Sequence, residues 1–181
     1  SYYDCFRKYH HHYTGDESFG TISTLSFFNI FGLSFLTFLL FLCNPLSNTV
    51  TIREKMDADS SRIFIEDNIN IFTESEEDQI ANVLQDVYEK SGMAVTVYTT
   101  NQKWHQSYSN IEAYSHQLYY RIGVDENSML LLFTLDNNEF SLNYKQYDCY
   151  LYCGDNATAW ATDSLKNKLL QNIDNGIENN L

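Results

Sequence analysis

Apolar residues follow three different patterns along this chain. Residues 25–46 form a run without a charged side chain, LSFFNIFGLSFLTFLLFLCNPL. Its length matches the roughly 20 residues that cross a hydrocarbon core. Ser26, Ser34 and Thr37 are tolerated there because small hydroxyls bond back to the helix backbone. Asn44-Pro45 closes the run, since the residue before a proline avoids the α region. A cleaved signal peptide needs a basic start, a shorter apolar stretch and a small-x-small exit. Here a polar arm precedes the run, and Cys43-Asn44-Pro45 is a poor exit. The run therefore predicts one retained transmembrane helix.

Helical spacing appears next. Ile80, Val83, Leu84, Val87 and Tyr88 recur at i, i+3, i+4, i+7 and i+8, which is one face of an amphipathic helix. Thr73-Glu74-Ser75-Glu76 reads as a capping box, and Glu74, Glu76, Glu77 and Asp78 favour the positive helix start. Gly92 suits the left-handed position that ends such a helix. Ile111, Tyr114, Leu118 and Ile122 mark a second helix closed by Gly123. A tail helix is expected over residues 158–173.

Strands fill the intervals. Residues 62–66 read as a short entry strand, and β-branched residues 93–99 as a second. Residues 128–135, SMLLLFTL, form a continuous apolar run, the pattern of a strand buried on both faces. Asp136 to Glu139 reads as a tight turn, and Phe140, Leu142 and Tyr144 alternate on a following strand. The order β-α-β-α-β-β-α predicts an α/β fold: a three-layer α/β/α sandwich with a small mixed sheet, preceded by one transmembrane helix. The expected division is 1–24 polar arm, 25–46 transmembrane helix, 47–61 linker and 62–181 α/β domain.

Charge narrows the partners. A formal net charge of −13 argues against nucleic acid, which needs a basic face, and permits divalent cations. Basic residues flank the apolar run on both sides, so the positive-inside rule leaves orientation undecided. His10, His11, His12 and Cys5 read as a solvated arm beside the membrane. Cys149 and Cys153 read as two thiols on a strand, with a disulfide as the alternative in an exported domain. No nucleophile elbow, P-loop or dinucleotide fingerprint occurs.

The ordered series resembles the TPM domain family, a group that includes thylakoid-lumen phosphatase-like and photosystem repair proteins. The stretch from Ile65 to Thr73 resembles the family's opening V-x-D-x-A-x-x-L-S. Tyr88 to Gly92, Val95 to Val97, Tyr119 to Gly123 and Met129 to Leu132 follow in the family's order. Asp136-Asn137-Asn138 stands where the family often has D-D-R, so its arginine is Asn138 here. The glycine-rich V-G-Y-G is assigned to residues 143–146, which lack those glycines. The resemblance covers residues 62–145.

Asp67 and Asp136 are expected at strand ends, where ligands of open α/β sheets collect. With Asp125 as a third donor they would suit Ca²⁺ or Mg²⁺; read locally, the same residues are turn caps. The resemblance implies metal binding and weak acid-phosphatase activity in some members, and a location outside the cytoplasm. The sequence thus points to a single-pass membrane protein with an extracytoplasmic interaction or maintenance domain. Its expected partners are the membrane and another membrane or envelope protein. The alternative is a metal-assisted acid phosphatase, weak at most.

Overall fold

The computed structural model describes residues 5–8, 34, 37, 55–136 and 146–178. The expected transmembrane run therefore lies outside the described residues, apart from Ser34 and Thr37. Among the described residues no helix is long and apolar enough to cross a membrane. The strand expected at Phe140, Leu142 and Tyr144 is also outside them.

The elements are β1 (Cys5–Lys8), β2 (Phe64–Asp67), α1 (Glu74–Ser91), β3 (Ala94–Thr100), α2 (Ile111–Arg121), β4 (Ser128–Asp136), β5 (Gln146–Cys153) and α3 (Asp163–Glu178). The sheet order is β1-β5-β4-β3-β2. Strands β2, β3 and β4 are parallel, and β5 returns antiparallel to β4. Strand β1 adds antiparallel to the outer half of β5. The chain is thus an α/β fold with a mixed sheet, as its patterns predict.

Alternation along the strands divides the core in two. Val95, Val97, Met129, Leu131, Phe133, Cys149 and Leu151 point to one face, against Ile80, Leu84 and Val87 of α1 and Leu169, Leu170 and Ile173 of α3. Tyr98, Leu130, Leu132 and Tyr150 point to the other, against Ile111, Tyr114, Leu118 and Tyr119 of α2. Helices α1 and α2 therefore lie on opposite faces, although β2, β3 and β4 advance across the sheet in one direction. Two such crossovers have opposite hands, so one departs from the right-handed rule.

Helix α1 begins and ends as its sequence indicates. Thr73 accepts from Glu76 N at 3.3 Å, and Glu76 returns the bond by accepting from Thr73 N at 2.8 Å. Gly92 follows at φ 72°, and its N–H caps Tyr88 O at 2.7 Å.

The stretch read as a linker is partly built into the domain. Residues 55–62 run as a strap across the amino ends of the parallel strands. Met56 N donates to Ser91 O at 2.8 Å, and Ala58 N to Gly92 O at 3.0 Å. Tyr88 Oη donates to Ala58 O at 3.2 Å, Asn127 Nδ2 to Asp57 O at 3.2 Å, and Arg62 to Ile122 O at 3.3 Å. Ala58 is buried. A low count of apolar residues concealed this, because the strap is held by backbone hydrogen bonds.

Cys149 and Cys153 both lie on β5 and are buried, and no disulfide joins them. Four residues of strand separate their Cα atoms by about 13 Å, far outside the 4.4–6.8 Å that a disulfide spans. Burial pushes the Cys153 thiol up to about 12, so it is a poor nucleophile.

Gly92 gives a direct test of the strap. A Cβ there would collide with the Met56 carbonyl and force a side chain into left-handed backbone. Gly92→Ala should cost about 2–4 kcal/mol, read as a lower urea midpoint with an unchanged slope.

Candidate functional site

The opposite placement of α1 and α2 makes the chain connections diverge at the carboxyl end of the sheet, the arrangement that forms a crevice in open α/β sheets. The chain leaving β2 turns toward the face of α1, while the chain leaving the adjacent β3 turns toward the face of α2. Neighbouring strands whose connections diverge in this way leave a gap where ligands of open α/β sheets bind.

Asp67 ends β2 beside this gap and lies level with Thr99 of β3. Its carboxylate accepts from Thr99 Oγ1 at 2.5 Å and from Phe72 N at 2.9 Å. The second bond closes the β2–α1 loop, which passes through Asn70 at φ 52°. Asn68 Nδ2 donates to Thr99 O at 3.0 Å and ties the loop to β3. Both carboxylate oxygens thus hold the loop, yet each carries two lone pairs, and one on each is left over for a further donor or cation.

The loop is also a region of negative potential. Partial burial, followed by the charges of Asp67, Asp78 and Glu74, holds the Glu77 carboxyl above its ordinary range. Three carboxylates therefore act on a fourth at the start of one helix.

On the opposite face, the chain after β3 folds over the end of β4. Trp104 Nε1 donates to Thr134 Oγ1 at 3.2 Å, and the indole stacks on Tyr114 with centroids 6.3 Å apart. Thr100, Thr134 and Asp148 form one buried polar rung across β3, β4 and β5. The sequence reading missed this rung. Thr100 and Thr134 carry no motif, and Asp148 lies within an aromatic stretch that hides its inward alternation.

The backbone positions of the three expected acids do not gather in one place. Asp136 ends β4, three residues beyond Phe133, the residue level with Thr99 and hence with Asp67. Strand β3 stands between them, so strand spacing and rise put their Cα atoms about 14 Å apart. Asp125 precedes β4 and lies at the opposite end of the sheet. There it accepts from Asp59 N at 2.9 Å, Asn127 N at 2.9 Å and Ser128 Oγ at 2.7 Å, joining the strap to the α2–β4 turn. Among the described residues, no three His, Cys, Asp or Glu side chains form a metal-holding group.

The comparisons with known proteins bear on this architecture. The TPM domain model matches residues 65–178. The chain belongs to the TPM domain family. The match runs past residue 145 through β5 and α3, so the TPM domain includes the whole antiparallel return and its covering helix. It begins at Ile65, which leaves the 55–62 strap outside it. No curated protein and no solved structure shows significant similarity to the chain.

The raised carboxyl gives a pH prediction with a definite sign. The folded state holds the Glu77 proton more tightly than the unfolded chain, so ionised Glu77 costs stability at neutral pH. That cost fades as pH falls through the folded value and then through the ordinary 4.5. Glu77→Gln should raise stability at pH 7 by less than about 1 kcal/mol. The gain should vanish in thermal melts near pH 3.

Proposed function

We propose that this TPM domain is a membrane-tethered interaction module outside the cytoplasm, with a divalent cation bound at the crevice beside Asp67. What supports the reading is the position of Asp67 at the carboxyl end of β2, where its carboxylate accepts from Thr99 Oγ1 and Phe72 N, beside a helix start where burial, then the charges of Asp67, Asp78 and Glu74, raise the carboxyl of Glu77. A cation there removes the repulsion. Ca²⁺ suits it best, because it accepts carboxylate, carbonyl and water oxygens in irregular shells, whereas Mg²⁺ demands a stricter octahedron. In this reading Asp67 supplies the direct carboxylate. Asp125 is left to the strap.

The apolar run 25–46 supplies the tether, and a second envelope or membrane protein is the partner. A single crossing would put the arm and the domain on opposite sides, so the tether requires the β1–β5 pairing of the structure to open. The four strands β2–β5 hold the two helix-covered faces without it. An outward domain meets the higher free Ca²⁺ that weak sites need.

Two measurements test the proposal. Calcium titration of the full chain should raise Tm at pH 7, and Asp67→Asn should abolish the rise. A Tm indifferent to Ca²⁺ and Mg²⁺ would remove the cation. Hydrolysis of p-nitrophenyl phosphate, dependent on metal and lost in Asp67→Asn, would instead favour the acid-phosphatase reading. For orientation, protease added to intact cells should degrade the domain. Full protection until permeabilisation would reverse the side.

A further inference from the structure

The outer edge of β5 is covered in two different ways along its length. Strand β1 pairs only with the half from Gln146 to Cys149. Just beyond it, the Lys166 ammonium of α3 lies 5.3 Å from the ring centroid of Tyr150. Helix α3 covers one face of the sheet and Tyr150 points to the other, so the Lys166 side chain passes round the edge where β1 stops. A lysine across an edge discourages strand pairing there. Pairing is thus confined to Gln146–Cys149, where β5 lies opposite the carboxyl end of β4.

Strand β1 lies outside residues 65–178, which the TPM domain model matches, so the sheet of the domain itself ends at β5. Two buried acids flank this edge, one from each face. Asp148 alternates onto the face of α2, and Asp174 of α3, 9% exposed, lies on the other. The Tyr147 hydroxyl donates to Asp174, and Arg7 is the β1 residue level with Tyr147. Buried carboxylates are held by donors or cations, and β1 brings Arg7 and Lys8 to the edge of a chain with a formal net charge of −13. We infer that Gln146–Cys149 is a strand-acceptor site for an extended basic segment of a partner polypeptide, and that β1 is its exchangeable occupant within the chain. Main-chain hydrogen bonds to β5 supply the affinity, and Asp174 beside Tyr147 reads the basic residue, the division of labour usual in strand addition. This gives the chemistry of the partner and rests on the interaction-module reading above, in which β1 must leave β5. It does not depend on a cation at Asp67.

The probe is a fluorescent peptide of residues 1–12 with Cys5→Ser, titrated into the full chain in detergent. In the unmodified chain β1 competes with it. Phe6→Pro together with Arg7→Pro frees the edge, because one of two adjacent amides in an antiparallel strand faces its partner and proline has no N–H. The peptide should bind this variant several-fold more tightly than the unmodified chain, since occupancy by β1 lowers apparent affinity by the fraction of edge left open. Equal or weaker binding to the variant, shown to be folded by circular dichroism, would overturn the exchange. N-methylation of the peptide backbone needs no variant and is read on the unmodified chain. Methyl groups at positions 5 and 7, or at 6 and 8, block whichever set faces β5. One pattern should abolish binding and the other should leave it unchanged.

Asp174→Asn in the chain and Arg7→Gln in the peptide should each weaken binding by about tenfold or more, and together by little more than either alone. Additive losses would overturn the reading of the basic residue by Asp174. Equal sensitivity to both methylation patterns, or to neither, would overturn strand addition. A dimer of the proline variant that the peptide does not dissociate would give the edge to a second copy and overturn the partner. The calcium response and the protease test are read on the same preparations. Loss of peptide binding while both hold defeats the strand site alone, and their failure while the peptide still binds defeats the tethered, cation-bound reading instead.

Discussion

Strand β3 is buried at every one of its seven residues and is hydrogen-bonded to a parallel neighbour on each side. A strand in that position cannot leave either face to water. Val95 and Val97 must be covered from one side and Tyr98 from the other. The crossovers before and after β3 supply the two covers, which is why α1 and α2 fall on opposite faces. The crevice is the geometric remainder of this solution. The backbone divides where the two connections part, and Asp67 and Thr99 meet at the division.

The amino end is closed by different means. In the loops there, backbone groups and short polar side chains satisfy one another. Tyr119 Oη donates to the Asp125 carbonyl, and Gly154 passes so close to Tyr119 and Glu126 that a Cβ would not fit. Burial and the nearby Asp125 push the Tyr119 phenol up, so it stays a neutral donor at any ordinary pH. Asn156 Nδ2 donates to Asn127 Oδ1 at 2.9 Å, and Asn127 in turn holds the strap. One end of the sheet is thus tied down by many mutual bonds, while the other keeps spare acceptor capacity on Asp67. That asymmetry is the reason the functional reading belongs to the carboxyl end.

The legible parts of the sequence were those where side-chain periodicity or backbone chemistry acts locally. Thr73, Glu76 and Gly92 bound α1 because caps depend on a few neighbouring atoms. The uniform apolar run at 128–135 located the doubly covered β4. Strand β5 was harder: Tyr147, Cys149, Leu151 and Cys153 alternate with Asp148, Tyr150 and Tyr152, and polar and apolar aromatics obscure the period. The opposite hands of the crossovers were not legible at all. Both β-α-β units have the same local pattern, and the face chosen by a helix is set only when both sides of β3 compete for cover.

The carboxylates show the limit of reading a site from strand ends. Asp67, Asp125 and Asp136 share one local signature, an acid at the border between a strand and a turn. An acid before a parallel strand and an acid after one look alike in sequence, but they lie at opposite ends of the sheet. Asp125 precedes β4, and its oxygens are spent on Asp59, Asn127 and Ser128. Asp67 ends β2, and among the described residues its oxygens accept from Thr99 and Phe72. Glu74 and Asp78 sit within the first turns of α1, where they stabilise the helix start; partial burial, then the nearby acids, raise the Glu77 carboxyl. The acids that favour the start of α1 therefore also crowd the Glu77 carboxyl, a repulsion that folding imposes.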